Sequence, residues 1–278
     1  MRRRASSACG RSRLAALAAA AAMLSPGAVA WASSAREFGG GALEGAQARY
    51  GRVQEARRHQ GKKIDEMFAA AGVAYPAPVM LRAFKQEEQL ELWAAPAGGG
   101  RWVMVARYPI AAASGDLGPK RRRWDHQVPE GFYRLDGFNG ASRYHLSLHV
   151  DYPNASDLIL GNRRHPGNNI FIHGDDVSSG CIAVGDRAIE QLYLVVLDST
   201  AAGHQVQAEI FPCRFSSPGC ARRLAATSRR TPRLAAFWAN LREGFDVFEA
   251  TGTPPAVTVD RSGRYLFENA KMGYQVPQ

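Results

Sequence analysis

The chain has 278 residues, 46% of them apolar, and a formal charge of +10. That length holds one large domain or two small ones, and that apolar share sustains an ordinary globular core. Five arginines lie in the first thirty residues, which contain no acid, so +10 less 5 leaves +5 on the remainder; so mild a charge suits an anionic envelope polymer and does not by itself argue for nucleic acid.

Met1 to Arg13 is positive (Arg2, Arg3, Arg4, Arg11, Arg13), and Leu14 to Leu24 is an apolar run too short to span a bilayer comfortably. With an Ala-x-Ala site at Ala28–Ala30 and a second at Ala30–Ala32, residues 1–30 read as a secretory signal cleaved after Ala30 or Ala32. An uncleaved anchor is the competing reading. Arg2–Arg4 raises twin-arginine export, which the flanking residues support weakly. Cys9 precedes the apolar run and is badly placed for lipoprotein processing. No other segment reads as a membrane span, so the mature protein is expected in the periplasm or cell envelope. Export leaves Cys181, Cys213 and Cys220. Cys213 and Cys220 flank the turn-like Ser216–Gly219 and are expected to pair in an oxidising compartment, with Cys181 the odd thiol. Three free thiols is the alternative.

Ser33 to about Gly45 is small, polar and glycine-rich and reads as a linker. Arg49 to Ala71 reads as a helix with Val53, Ala56, Ile64, Met67 and Phe68 as its apolar members, so 31–77 is linker plus N-terminal helix. Gly61 weakens that helix, and its basic clusters read as a solvated face. From Pro78 the pattern turns to strands. Val79–Phe84, Glu88–Trp93 and Arg101–Ile110, broken by the turn at Pro96–Gly100, form an expected antiparallel meander. Gly115–Asp125 is a loop carrying Lys120-Arg121-Arg122-Arg123 and Trp124, a solvated segment or a holder of anionic groups. Pro129 and Gly131 bend the chain into a strand at Tyr133. Tyr144–Val150 alternates: Tyr144, Leu146, Leu148 and Val150 one way, His145, Ser147 and His149 the other, either lining a cleft or facing solvent. Arg163, Arg164 and His165 offer cations that could lower the Cys181 pKa or meet a substrate carboxylate.

Ile170–Ile172 reads as a buried strand ending on His173, and 174–180 as a loop closed by Cys181. A helix follows with Asp186 as N-cap and Ile189, Leu192, Tyr193 and Val196 on one face. Gln205–Phe211 is a strand, and Ala221–Arg233 an exposed loop or short helix. Leu234–Phe248 is an amphipathic helix, and Val257–Val259 with Arg264–Phe267 a terminal hairpin. There is no internal repeat and no nucleotide-binding glycine loop.

A thiol with pKa about 8.5 supplies little thiolate near neutral pH. An imidazole can take its proton and later return it to a leaving amine. His173 and Cys181 are the right types for that, and the small residues Ser178, Ser179 and Gly180 bend the backbone so that amides could face a developing oxyanion. The blander reading is a buried thiol and a satisfied core histidine. A metal reading through His173, Asp175 and Cys181 is weaker, because no further Cys or His falls at ligand spacing.

The string His173-Gly174, a short loop, then Ser178-Ser179-Gly180-Cys181 resembles the L,D-transpeptidase catalytic domain (YkuD) family, most closely its YafK-like branch. The commoner family form has a longer gap and a second histidine where Ser179 stands. The resemblance runs from about Pro78 to Phe211, with Leu117–Lys120, Tyr152–Asn154 and Asp157 also matching family strings. It implies an α+β, mainly β fold: an L,D-transpeptidase-type mixed β-sheet or β-sandwich core, a helix after the catalytic Cys, and flanking N- and C-terminal helices. It implies Cys181 as nucleophile, His173 as general base and acid, an oxyanion hole from Ser179, Gly180 and Cys181, and the Gly174 carbonyl orienting the imidazole. Asp175 and Asp176 are rival orienters. Tyr144, His145, Ser178 and Arg163 are the candidate substrate contacts, and no cofactor is implied. The expected layout is a catalytic domain over 78–212 with a C-terminal extension over 213–278 packed on it. The expected function is peptidoglycan L,D-transpeptidation through an acyl-enzyme at the diaminopimelate carbonyl of stem peptides. A hydrolase releasing wall-linked lipoprotein, a non-catalytic wall-binding module and a cysteine peptidase of ordinary L-peptides are the alternatives.

Overall fold

The computed structural model describes residues 40–229 and 231–268. The signal reading of 1–30, with Cys9 and both cleavage sites, lies outside the described residues. The elements in order are α1 (Gly40–Gln47), α2 (Gly51–Ala70), β1 (Val79–Phe84), β2 (Gln89–Ala94), β3 (Val103–Pro109), β4 (Ala112–Ala113), β5 (Gly131–Asn139), β6 (Ser147–Val150), α3 (Ala155–Leu160), β7 (Ile170–His173), β8 (Ile182–Ala183), α4 (Asp186–Ala201), β9 (Gln207–Phe211), α5 (Pro218–Ser228), α6 (Pro232–Thr251), β10 (Ala256–Val259) and β11 (Tyr265–Glu268). This is an α+β, mainly β fold around a mixed sheet.

The sheet runs β3-β2-β1-β9-β5-β6-β7-β8-β4, parallel at β1–β9 and β7–β8 and antiparallel elsewhere. Strand β5 belongs to both halves. Gly131–Arg134 pairs with β9, and Leu135–Asn139 pairs with β6 across a bulge between Leu135 and Gly137. A bulge bends a strand and adds twist, so the sheet turns there from one half to the other. Helix α4 fills one side. Leu192 to Leu197 are each 1% exposed or less, so this helix is buried all round rather than on the single face its spacing predicts. Each such aliphatic side chain contributes about 1.5–3 kcal/mol through burial. Helix α2 packs against α4 through Val53, Ala56, Ile64 and Phe68, and Gln60 donates to Glu190 at 2.8 Å.

The stretch read as a linker differs from 40 onward, where it is helix α1. Leu43 packs on the core, and Gln47 Oε1 accepts a hydrogen bond from Tyr193 Oη at 2.6 Å. Packing outweighs the helix-weakening glycines.

The opposite side of the sheet carries an aromatic core of Phe84, Phe132, Phe211, Phe215, Phe237, Trp238 and Phe245 under α5, α6 and the β10–β11 hairpin. Strand β1 is therefore buried at every position and cannot alternate. Within this core Arg82 is fully buried. Its Nε donates to Glu209 at 3.0 Å and its Nη1 to Glu249 at 2.9 Å, with the Phe245 and Phe248 rings 4.8 and 4.3 Å from its guanidinium carbon. Cys213 and Cys220 are joined as a disulfide, Cα–Cα 5.7 Å, tying the end of β9 to α5. The Ser216–Gly219 turn runs straight into α5, with Pro218 in its first turn. Among the described residues no helix is long and apolar enough to cross a membrane.

Candidate active site

His173 closes β7, which lies between β6 and β8 in the sheet. Ile170 and Ile172 are buried beneath it, so Phe171 and His173 face the other way. The parallel register Ile172↔Ile182 and His173↔Ala183 sets Ile182 on the core face and Cys181 on the face of His173. The loop between the strands therefore brings the thiol back beside the start of β7, where Cys181 Sγ donates to the Asn169 carbonyl at 3.7 Å. Imidazole and thiol share one face, two residues apart along the ladder, about 6.6 Å of strand rise.

The imidazole is held on three sides. His173 Nδ1 lies 2.6 Å from the Gly174 carbonyl. A carbonyl only accepts, so Nδ1 carries the proton and the Nε2 lone pair is free. The Tyr144 ring leans over it, centroids 4.8 Å apart. The Gly174 amide donates to the Tyr144 and Leu146 carbonyls. A Cβ at Gly174 would stand 2.5 Å from Asp186 Oδ1 and 2.9 Å from the Tyr144 carbonyl. Gly174→Ala is thus expected to tilt the carbonyl off Nδ1 and lower turnover at least about tenfold, with stability falling about 1–3 kcal/mol from overpacking. Steady-state kinetics and thermal unfolding of that variant check both numbers; unchanged kinetics would remove the carbonyl's orienting role. Of the rival carboxylates, Asp175 makes its hydrogen bond within its own turn and acts on His173 through charge alone. Asp175, at φ +62, accepts from the Asp176 amide, and its own amide donates to Asp186 Oδ1 at 2.8 Å. Asp186 is consequently inside α4 rather than its N-cap, a position Gly185 takes at φ +78.

Burial pushes the Cys181 thiol above its ordinary value, against partial relief from the Phe171 amide and the Lys120 charge. Burial also pulls the His173 imidazole below its ordinary value, against the Gly174 hydrogen bond and the Asp175 charge. Both effects disfavour charge and so favour a thiol beside a neutral imidazole. Alkylation of Cys181 by iodoacetamide is therefore expected to rise with pH, with a midpoint above the free-thiol value of about 8.5. The lowered imidazole gives up its proton at more acid pH than an ordinary histidine, so the acid limb expected of a His173 base lies below the ordinary histidine range. Fast, pH-independent alkylation between pH 6 and 7 would instead reveal a preformed thiolate–imidazolium pair.

The structure brings Tyr144 to His173 but separates the other expected substrate contacts. His145 sits at φ +66 and its Nε2 is 3.0 Å from Glu190 Oε1, turned toward α4. The alternation read from Tyr144 holds only from Ser147, where β6 begins. Ser178 Oγ donates to the Cys181 carbonyl at 2.6 Å, closing the loop on itself. Arg163 is exposed on the loop before β7, and the cation that acts on the thiol is Lys120. Lys120 is 5% exposed and donates to Asp125 Oδ1 at 2.6 Å. Of the three expected oxyanion amides, Gly180 N–H already donates to Ser114 Oγ at 2.5 Å. Asn154 and Asp157 form a capping box on α3, and Asp157 also accepts from Tyr133 Oη at 2.9 Å. Asp125, His126 and Ser114 are the neighbours of this loop that local sequence reading misses. Among the described residues no three His, Cys, Asp or Glu side chains converge as metal ligands.

Residues 85–210 match the L,D-transpeptidase catalytic domain (YkuD) family. The chain is 34% identical over 193 residues to the Escherichia coli K12 protein named "Putative L,D-transpeptidase YafK", covering 68% of this chain and 74% of that protein. Among solved structures, the helical cell shape determining protein Pgp2 from Campylobacter jejuni is similar over 70% of this chain and 79% of that one, at 16% identity and TM-score 0.40. Bd1075 of Bdellovibrio bacteriovorus is similar over 70% and 90%, at 14% identity and TM-score 0.37.

Proposed function

We infer, from the premise that this chain belongs to the L,D-transpeptidase catalytic domain (YkuD) family, that it is an exported cysteine acyltransferase acting on peptidoglycan stem peptides. Membership carries a peptidoglycan-related, L,D-transpeptidase-like function. The finer reading concerns Cys181.

The observation that carries it is the 2.6 Å hydrogen bond from His173 Nδ1 to the Gly174 carbonyl, with the thiol on the same sheet face. Pinned this way, Nε2 takes the thiol proton as sulfur attacks the carbonyl on the carboxyl side of a diaminopimelate residue. The carbonyl oxygen becomes an oxyanion beside the Cys181 loop amides. Collapse breaks the C–N bond, the imidazolium returns the proton to the leaving amine, and D-alanine departs. The thioester then passes to an acceptor amine, whose proton His173 takes. A diaminopimelate amine as acceptor gives a cross-link; water gives a hydrolase, which includes release of wall-linked lipoprotein. Both outcomes run through one acyl-enzyme.

The test is mass spectrometry on the full mature protein and its Cys181→Ala variant. Each is incubated with disaccharide-tetrapeptide and, separately, with wall fragments bearing a linked lipoprotein peptide. A Cys181-dependent dimer with loss of D-alanine supports transpeptidation. Cys181-dependent release of lipoprotein peptide without dimer moves the reading to hydrolase. Identical behaviour of the two proteins on both substrates would leave a wall-binding module.

A further inference from the structure

A second loop grips the Cys181 loop through residues that the chemistry above leaves without a part. Strand β4 pairs with β8 as Ala112↔Ala183 and Ala113↔Ile182, which puts Ser114 opposite the catalytic loop. The Gly180 amide donates to Ser114 Oγ at 2.5 Å, and Ser114 Oγ donates onward to the His126 carbonyl at 2.8 Å. The His126 ring then reaches back, with Nδ1 2.8 Å from Ser179 Oγ. One residue thus holds the catalytic loop twice, through its carbonyl by way of Ser114 and through its ring by way of Ser179.

The grip is held under strain. His126 sits at φ +54 and Trp124 at φ +63, left-handed conformations that cost a non-glycine residue about 1–2 kcal/mol each. Gly115, at φ +83, lies so close to the His126 carbonyl that a Cβ would be 2.9 Å from it. Behind the loop, Asp125 accepts from the Arg121, Arg122 and Gln127 amides and from Lys120 Nζ. Strained backbone that its surroundings over-determine is a pointer to function.

We propose that Ser114 and His126 are positioning residues for acyl transfer: they anchor the Gly180 amide away from the substrate and so aim the Ser179 and Cys181 amides at the developing oxyanion. On this assignment Gly180 is the pivot of the oxyanion hole and not one of its donors. The inference rests on the acyl-enzyme reading of Cys181.

Ser114→Ala, His126→Ala, His126→Asn and the double variant Ser114→Ala/His126→Ala test it in the full mature chain. The acylation rate and KM on disaccharide-tetrapeptide are measured beside alkylation by iodoacetamide, which passes through no oxyanion. Each alanine variant is expected to lower acylation at saturating substrate about tenfold, with KM within about twofold, as for a small misplacement of aligned groups. Alkylation stays within about twofold of the wild type. The double variant falls by less than the product of the two singles, because both hold one loop. His126→Asn, whose amide takes the place of Nδ1 beside Ser179 Oγ and which tolerates the left-handed backbone at 126, recovers most of the rate with an unchanged pH profile. Wild-type acylation in Ser114→Ala and His126→Ala overturns the proposal, as does alkylation that falls in step with acylation. A His126→Asn variant as slow as His126→Ala, with a lost pH limb, overturns it in favour of proton transfer by His126. Absence of Cys181-dependent acylation in the wild type sinks the acyl-enzyme reading instead. Ser114→Ala and His126→Asn are small changes and keep the test standing if His126→Ala does not fold.

Discussion

Cys181→Ala is expected to lower turnover of disaccharide-tetrapeptide at least about 10³-fold, because the bond-forming atom is gone and only binding and oxyanion stabilisation remain. Thermal stability should barely move, since the thiol is only partly buried and its hydrogen bond to the Asn169 carbonyl is long at 3.7 Å. The matched variant is His173→Gln. It keeps the thiol but loses the proposed base, and burial holds the thiol above its ordinary pKa. Its rate should therefore be low at neutral pH and climb as pH rises into the range where thiolate forms unaided. The sign follows from the raised thiol pKa: protonated and unreactive below it, ionised above it. A His173→Gln variant with wild-type rate at pH 7 would remove the imidazole from the reaction, and a Cys181→Ala variant with residual turnover near wild type would remove the thiol.

The largest stability effect is expected at Arg82. Its guanidinium is fully buried between Glu209 and Glu249 and lies among four aromatic rings. Arg82→Ala leaves Glu209, itself buried, without its cation. Breaking a buried pair in that way costs about 3–5 kcal/mol, far more than the pair's net contribution. Burial pushes Glu209 up to about 7 even with Arg82 beside it, and removing the arginine removes a cause that lowers it. The folded variant therefore binds a proton that the unfolded chain, near 4.3, releases. Its stability should fall further as pH rises from about 5 through 7. Urea unfolding at pH 5.5 and 7.5 checks both the size and the slope. A loss under about 1 kcal/mol at pH 7.5 would show that water or a rearranged neighbour reaches Glu209. Glu209→Gln/Arg82→Met should be much milder than Arg82→Ala, since both charges leave together.

Much of the fold is legible in local sequence. Strands β1, β2, β3, β7 and β9, helices α2, α4 and α6, and the β10–β11 hairpin follow from apolar periodicity and from the glycines and prolines that punctuate it. What escapes is set by contacts distant along the chain. Strands β4 and β8 are two residues each and exist only because they pair with each other. Helix α1 forms in a glycine-rich stretch because Leu43 and Gln47 find α4. His145 breaks the alternation of Tyr144–Val150 because Glu190 holds its ring and Arg52 donates to its carbonyl at 2.9 Å. Around the thiol, the strand, the loop and the following helix can be read from spacing. The neighbours Lys120, Ser114 and His126 cannot, since each comes from more than fifty residues upstream and sits in a loop whose left-handed backbone leaves no sequence pattern.

The buried Glu130 carboxylate has a consequence for where this protein can be cut. It accepts from Lys85 Nζ at 3.0 Å, from the Gly118 amide at 2.8 Å and from Trp238 Nε1 at 2.7 Å. The first two lie within residues 85–210, the stretch matched to the family; the third lies beyond it, on α6. Asn154 Nδ2 likewise donates to Tyr265 Oη, and Ser156 Oγ to the Gly263 carbonyl. A fragment ending at Pro212 would keep all of residues 85–210, yet it would bare the aromatic underside of β1, β5 and β9 and leave Glu130 short of a donor. Residues 85–210 thus share a core with α6 and the hairpin behind it, and a cut between them would run through packed side chains rather than through a linker.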